Sequence, residues 1–381
     1  MTEKLYYIDA YISEFTATVT SVKAVGDVYQ VILDRTAFFP EEGGQESDKG
    51  EIDGVRVIDV LESENEIIHV LNKRLEVGSA VRGIIDFDER YEKMKCHTAE
   101  HILCGIMHRL YGAENIGFHL GADCVTFDVD AVLTREQLDC VEDIANKIVS
   151  ENVAVVTSFP DAQELSLLSY RSKLDLTEGV RIVDIGEYDS CACCAPHVSR
   201  TGEIGLIKML DFEKHRGGTR IYMLAGKRAL ADYRARYAVS RRISALTSTP
   251  QEDIADAVIQ LMAERDSLVA QLKARGIREA IREAKRVPEQ KGNAVFFLED
   301  FTIDELREFV NHAVQKIGGM LVAVSGSDGD YKYVIGSRSV DLKALSKEIN
   351  SALCGRGGGR SGMIQGTFST DINMIRSYFE K

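Results

Sequence analysis

No run of apolar residues in this 381-residue chain approaches the roughly 20 that a membrane-spanning helix needs. The opening stretch, Met1 to Tyr7, also lacks the basic region followed by a hydrophobic segment that marks a secretion signal. A soluble, cytoplasmic protein with no membrane partner is therefore expected. Positive charge is in the minority: 46 Lys and Arg against 60 Asp and Glu leave a net charge of −14, which taken alone argues against a nucleic-acid partner. What is present is an ordinary globular composition, 45% hydrophobic and 28% charged, which excludes disorder and fibre. The length suggests two or three domains.

Eight cysteines occur, at positions 96, 104, 124, 140, 191, 193, 194 and 354. Without a secretion signal they read as thiols or metal ligands rather than as a disulfide framework. Cys191, Cys193 and Cys194 crowd into four positions, so a metal site is the first hypothesis.

The patterning predicts an α+β protein in four parts. Residues 1–90 read as a small N-terminal β-barrel or compact sheet, since 16–22 alternates and 28–33 follows a Gly-Asp turn. Residues 91–245 read as an α/β domain. Met94, His97, His101, Cys104, Met107 and Leu110 lie three or four apart, as on one helical stripe ending near Gly112. Thr134 and Gln137 have capping-box spacing for a second helix. Strands are expected at 153–158, 180–185, 204–210 and 220–224, with a helix at 161–172.

Residues 246–290 read as a helical linker. Thr249-Pro250-Gln251-Glu252 offers a cap, and Ile254, Val258, Leu261, Leu268 and Leu272 follow at coiled-coil spacing, broken by Arg265, up to Pro288. Residues 291–381, where strand and helix patterns alternate, form a small C-terminal α/β domain. Its tail is the glycine-rich run from Cys354 to Gly362.

His97 and His101 stand four apart on one helical face, where both imidazoles can reach a single ion. Cys193 and His197 repeat that spacing in a loop after a strand. Together they offer three N donors and one S donor, the set zinc prefers in a tetrahedron. Cys191 or Cys194 in place of Cys193 remains open, and His108 shares the stripe with His101, whereas Cys104 reads as core. A cysteine nucleophile with His197 as base is the competing chemistry, but the sequence displays no orienting third group.

These motifs resemble those of the alanyl-tRNA editing proteins, free-standing homologues of the editing region of alanyl-tRNA synthetase. Thr36-Ala37-Phe38-Phe39-Pro40-Glu41-Glu42-Gly43-Gly44-Gln45 is similar to the family's Thr-x-Phe-Tyr-Pro-x-Gly-Gly-Gly-Gln stretch, with Glu42 at the first glycine. His97 and His101 follow the acidic and aromatic lead-in 86–91, with Glu100 where small or hydroxyl residues are commoner. Cys193-Cys194-Ala195-Pro196-His197 resembles Cys-Gly-Gly-Thr-His, keeping both ligands and replacing the three residues between them. The run Gly357 to Gly366 is similar to the C-terminal domain of alanyl-tRNA synthetase. That module also occurs on phosphoesterases, but the Asp-His-His motif of those enzymes is missing here.

The resemblance covers nearly the whole chain, in the order of the long form of the family. It implies a zinc-binding aminoacyl-tRNA editing domain at 91–245, with one Zn2+ per chain held by His97, His101, Cys193 and His197. The implied reaction is hydrolysis of tRNA for alanine mischarged with serine or glycine. Thr36 is implied to recognise the serine hydroxyl and Gln45 to line the pocket near the ester. As bare sequence these two are a strand-end hydroxyl and a turn amide. A homodimer through the linker helix or the C-terminal domain is also implied.

The acidic total hides a segregated field. Met1 to Lys95 carries 11 basic and 20 acidic side chains, whereas Lys214 to Arg242 carries nine basic residues against Asp232 alone. Arg216, Arg220, Lys227 and Arg228, interleaved with tyrosines, are candidate phosphate contacts, as are Arg356 and Arg360 among the tail glycines. Three readings stand: a zinc-dependent aminoacyl-tRNA deacylase, a non-catalytic zinc-stabilised tRNA-binding protein, and a cysteine or metal hydrolase of small esters.

Overall fold

Alternating apolar residues build the first strands: β1 (Glu3–Lys4), β2 (Glu14–Val25), β3 (Val28–Leu33), β4 (Arg35–Thr36), β5 (Gly50–Ile52), β6 (Val55–Ser63), β7 (Glu66–Leu71) and β8 (Ala80–Ile85). In this computed structural model, which describes residues 1–121, 123–172 and 179–380, six of them pair in the order β2-β3-β7-β6-β5-β8. β8 returns to β2, so the sheet closes on itself and leaves no free edge. Phe15, Ala17, Val19, Val31, Leu33, Val57, Val60, Ile67 and Val81 fill its interior.

The chain divides into two units, Met1–Val239 and Ser240–Lys381. In the first, the closed ring is followed by α1 (Phe87–Tyr111), β9 (Asn115–Leu120), β10 (Val125–Val129), α2 (Arg135–Glu151), β11 (Val156–Ser158), α3 (Ala162–Leu165), β12 (Ile182–Ile185), β13 (Asp189–Ala192), β14 (Ile207–His215), β15 (Gly218–Ala225) and α4 (Gly226–Thr247). An antiparallel sheet β14-β15-β10-β9 and a smaller one, β11-β12-β13, flank α1. Every residue of α1 from Lys93 to Met107 is buried, so this helix is the centre of the unit's core. Gly112 ends it in the left-handed conformation at φ 64°, its N–H donating back to His108 O.

Local signals hold where nothing tertiary competes. The Thr134 and Gln137 capping box forms as spaced. The helix expected at 161–172 contracts to α3, because Arg171 leaves it to pair beside β13, its N–H donating to Ser190 O at 2.8 Å. The strand expected at 153–158 shortens to β11, and the one at 204–210 starts only at Ile207, after a 3-10 turn over Thr201–Ile204.

The second unit holds α5 (Ile254–Arg286), β16 (Ala294–Phe297), α6 (Ile303–Ala313), β17 (Met320–Ser327), β18 (Asp330–Ser337), α7 (Leu342–Ala352), β19 (Gly355–Arg360), β20 (Met363–Phe368) and α8 (Ile372–Phe379). Its sheet runs β16-β17-β18-β20-β19, with separate apolar clusters on its two faces. Thr249 does not cap the long helix; its hydroxyl donates to Thr247 O instead. The glycine-rich tail is an edge strand rather than a loop. A Cβ at Gly357 would stand 2.6 Å from the Tyr333 hydroxyl, so only glycine lets β19 lie against its neighbours. Along α5 the seam residues Val258, Leu261, Leu268 and Leu272 are 40 to 67% exposed, and only Ala280 and Ala284 are buried. No helix among the described residues is long and apolar enough to cross a membrane.

Candidate metal centre and its cavity

The site is assembled on α1. Its i, i+4 spacing puts His97 and His101 on one face, and the loop after β13 brings Cys193 and His197 to it. The ligand atoms of His97, His101, Cys193 and His197 all lie within 4.8 Å of one another. Cys193 Sγ is 3.6 Å from His97 Nε2 and 3.4 Å from His197 Nε2. A tetrahedron with Zn–S of about 2.3 Å and Zn–N of about 2.0–2.1 Å has S···N edges of about 3.5 Å, so the donors already stand at zinc spacing.

Each imidazole is held by a partner on its other nitrogen. His97 Nδ1 donates to Gln45 Oε1 at 3.0 Å, and His101 Nδ1 to Asp189 Oδ2 at 3.1 Å. His197 Nδ1 donates to Thr98 Oγ1 at 3.0 Å, because the Thr98 proton is committed to Met94 O at 2.8 Å. With each Nδ1 so engaged, Nε2 is the ring atom that each histidine turns toward the cluster, the arrangement metal-binding histidines need. Burial alone pushes the Cys193 thiol up, but His97 and His197 beside it hold it well below the ordinary thiol range. Burial lowers His197 to about 3, which keeps it neutral. A thiolate and a neutral imidazole are the protonation states a metal requires. The residues fit a zinc ion.

Geometry sets the other candidates apart from this four-residue cluster. Cys191 lies within 4.8 Å of His101 and Asp189, but Asp189 is gripped by Arg171 through two bonds, Nε to Oδ1 at 2.7 Å and Nη2 to Oδ2 at 2.9 Å, and no fourth donor joins that set among the described residues. His108 points away to Glu114 at 2.7 Å. Cys104 is buried, its thiol donating to Glu100 Oε1 at 3.1 Å. Cys194, packed beside Tyr6, Phe39 and Ala195, keeps its proton because burial raises its thiol.

Gln45 reaches α1 because its segment is pinned there. The buried Arg90 of α1 ion-pairs with Asp48, and its guanidinium also donates to Ala37 O at 2.5 Å and Ala10 O at 3.0 Å. Glu42 and Gln45 close a tight turn through paired backbone bonds of 3.1 Å, with Gly43 at φ 65° and Gly44 at φ 84°. A Cβ on Gly44 would meet Phe118 O at 2.3 Å. Glu42 is exposed and has no positive φ, which explains why a side chain is accepted there. The Cys193 to Pro196 segment likewise runs without positive φ, so its replaced glycines are not missed.

Both Gln45 and Thr36 are fully buried, and neither lines the cavity. The Thr36 hydroxyl donates to His69 Nε2 at 2.8 Å and accepts from Phe38 N–H at 3.1 Å. The cavity itself, about 510 Å³, opens over His97, His101 and Cys193, walled by Phe118, Phe159 and Val180. Phe118 stacks on His97 with centroids 4.6 Å apart.

Sequence reasoning missed Thr98, Asp189, Arg171 and Arg181; of these only Thr98 stands inside a motif, between His97 and His101. Arg181 is 6% exposed and clamps the ligand loop, Nη1 donating to Cys193 O at 2.8 Å and Ala195 O at 2.9 Å.

The basic segment is partly neutralised. Arg220 pairs with Asp128 at 2.7 Å, Lys227 approaches Glu92 at 3.9 Å, and Arg228 donates to Gly121 O at 3.0 Å. Lys214, Arg216 and Arg234 are exposed. Tyr233 and Tyr237 stack on each other on α4, which also carries Arg234, and in the second unit Arg356 and Arg360 are exposed on β19.

A closed ring of strands, followed by a helix and a loop that gather three imidazoles and a cysteine sulfur, places the chain among domains shared with aminoacyl-tRNA synthetases. Residues 180–222 match the threonyl and alanyl tRNA synthetase second additional domain, and residues 2–89 match the class II (A) tRNA synthetases. An alanyl-tRNA editing protein AlaX-M from Methanosarcina mazei is 37% identical over 58% of this chain and 96% of its own length. The chain belongs to the alanyl-tRNA editing proteins. The AlaX-L protein of Pyrococcus horikoshii is 28% identical over 100% of both chains. The alanine–tRNA ligase of Halorubrum lacusprofundi is 32% identical over 94% of this chain, which spans 40% of that ligase.

Proposed function

We propose that this chain is an aminoacyl-tRNA deacylase acting on tRNA for alanine mischarged with serine, with glycine as a second substrate, and leaving alanyl-tRNA intact. The carrying observation is the preset donor set on the cavity floor: three imidazoles, each oriented through Nδ1, around one thiolate. A separate hydrolase is needed because an aminoacylation pocket rejects a slightly larger or smaller side chain by only about 1–3 kcal/mol. Water adds to the ester carbonyl, the terminal ribose hydroxyl leaves with a proton, and the free amino acid departs.

One Zn2+ per chain, held by His97, His101, Cys193 and His197, would supply electrostatic polarisation and orientation of the ester end; four protein donors close its shell, which favours positioning over hydroxide generation. The chain's own groups do the rest. Gln45, Asp189 and Thr98 fix the rings, Arg181 fixes the loop, and Phe118 and Phe159 keep bulk water from the floor. Thr36 reads the serine hydroxyl only if its proton leaves His69.

The tRNA backbone is held by the uncompensated part of the basic segment, Lys214, Arg216 and Arg234, supported by Arg220, Lys227 and Arg228, with Arg356 and Arg360 as contacts from the second unit. The exposed seam of α5 pairs with a second copy, giving a homodimer. The protein works where charged tRNA is made, in the cytoplasm.

Zinc-replete protein incubated with tRNA for alanine charged with serine, glycine or alanine tests this reading. Serine release with alanine spared is expected. Retention of tRNA without any release would favour the non-catalytic binder, and activity that survives complete removal of metal would favour a cysteine nucleophile.

A further inference from the structure

We infer that Glu100 reads the α-ammonium group of the aminoacyl ester, so that the cavity takes esters with a free amine and refuses N-blocked ones such as N-acetyl-aminoacyl or peptidyl esters. The inference rests on the deacylase reading above and names the part of the substrate that one buried carboxylate recognises.

Glu100 is 4% exposed and lines the cavity. Its two oxygens differ. Oε1 accepts from Cys104 Sγ–H at 3.1 Å and from Asn115 Nδ2. Oε2 accepts no hydrogen bond among the described residues and lies 4.0 Å from His101 Nε2. Among the described residues no Lys or Arg pairs with it, in contrast to the other buried carboxylates of the region, Asp189 with Arg171 and Asp48 with Arg90. Both hydrogen bonds of this carboxylate among the described residues fall on Oε1, so Oε2 is left to accept from a charged donor that arrives with the ligand.

The metal donor set does not include Glu100, which stands beside it. In an α-amino ester the ammonium nitrogen is about 2.5 Å from the carbonyl carbon. A carbonyl presented to the floor at His101 thus carries its ammonium into reach of Oε2. The other carboxylates on the wall, Glu42 and Glu114, are exposed, and Glu114 is engaged by His108. Acylation of the amine removes the charge and leaves Oε2 without its cation.

The test compares seryl-tRNA with N-acetyl-seryl-tRNA for the wild type and for Glu100→Gln. Metal content is measured alongside, and binding of a non-hydrolysable serine amide of 3′-aminoadenosine and of its N-acetyl form is followed by calorimetry. We expect the wild type to prefer the free amine by about 10- to 100-fold in both kcat/KM and binding, the scale of one charged hydrogen bond, and Glu100→Gln to lose that preference with metal content unchanged. A preference that is the same in both proteins overturns the inference. Loss of metal in Glu100→Gln would make Glu100 a ligand, and an equal fall for both esters with unchanged analogue binding would make it a proton acceptor; either result also overturns it. If the wild type releases no serine, the deacylase reading fails, while binding of the two analogues to the wild type still decides what Glu100 recognises, even should the variant not fold.

Discussion

Gln45 Oε1 accepts the Nδ1 proton of His97 at 3.0 Å, tying a turn of the N-terminal segment to the central helix that carries the metal donors. The ring is thereby fixed in the tautomer and orientation that turn Nε2 toward Cys193. Gln45→Ala is expected to weaken zinc binding by roughly 10- to 100-fold, the usual effect of losing such a support. Competition with a chromophoric chelator measures it. Unchanged zinc affinity would separate Gln45 from the metal centre.

Cys193→Ala removes the one sulfur from the set and leaves three imidazoles. Zinc content and serine release are expected to fall together, whereas Cys191→Ala and Cys194→Ala retain full metal. Elemental analysis of the three purified variants reads this directly, and full metal in Cys193→Ala would exclude Cys193 as a ligand.

Burial lowers His69 to about 4, with its Nδ1 proton given to Val31 O and its Nε2 accepting from Thr36. The unfolded chain binds this proton near pH 6.5 and the folded chain only near pH 4, so stability is whole above about 6.5 and falls as the pH drops toward 4. The loss between pH 7 and pH 5 is about 2 kcal/mol from this group alone. Urea unfolding at the two pH values measures it, and a His69→Gln variant is expected to lack that portion of the slope. Thr36→Val should cost about 1–3 kcal/mol because it strands two buried groups. The serine-to-alanine rate ratio of the same variant decides whether Thr36 also reads the substrate.

Replacing Lys214, Arg216 and Arg234 together with Ala should reduce the slope of log affinity for tRNA against log salt by roughly 2 to 3. Filter binding across a salt series provides the slopes, and parallel lines would refute this surface. Replacing Arg220, already paired with Asp128, should change the slope less.

Leu268→Glu combined with Leu272→Glu should convert a dimer to a monomer in sedimentation, since both side chains are more than half exposed along α5. A wild-type protein that sediments as a monomer would refute the seam.

Local chemistry was legible wherever spacing alone decides it. The pairing of His97 with His101, the end of α1 at Gly112 and the Thr134 capping box all follow from helical periodicity and glycine's access to positive φ. The expected helix at 161–172 failed for a nonlocal reason: Arg171 gains a strand partner and the Asp189 carboxylate, which no local propensity encodes. The glycine-rich tail carries no strand pattern of its own; what requires glycine at position 357 is the Tyr333 hydroxyl, 2.6 Å from where a Cβ would stand and part of another strand.

The sequence by itself determined the donor types, their pairing within each half of the site and the uneven charge, because these depend on residue identity and short spacing. Only the tertiary structure decided that the two halves meet, that Cys193 rather than Cys191 or Cys194 completes the set, and that Asp189, Thr98 and Gln45 aim the rings. It also decided that the Thr36 hydroxyl is committed while, among the described residues, Glu100 keeps an oxygen without a hydrogen bond. A hydrogen bond or an unmatched charge belongs to a pair of groups, and most of these pairs join residues far apart in the chain, so neither member can be read from its own neighbourhood.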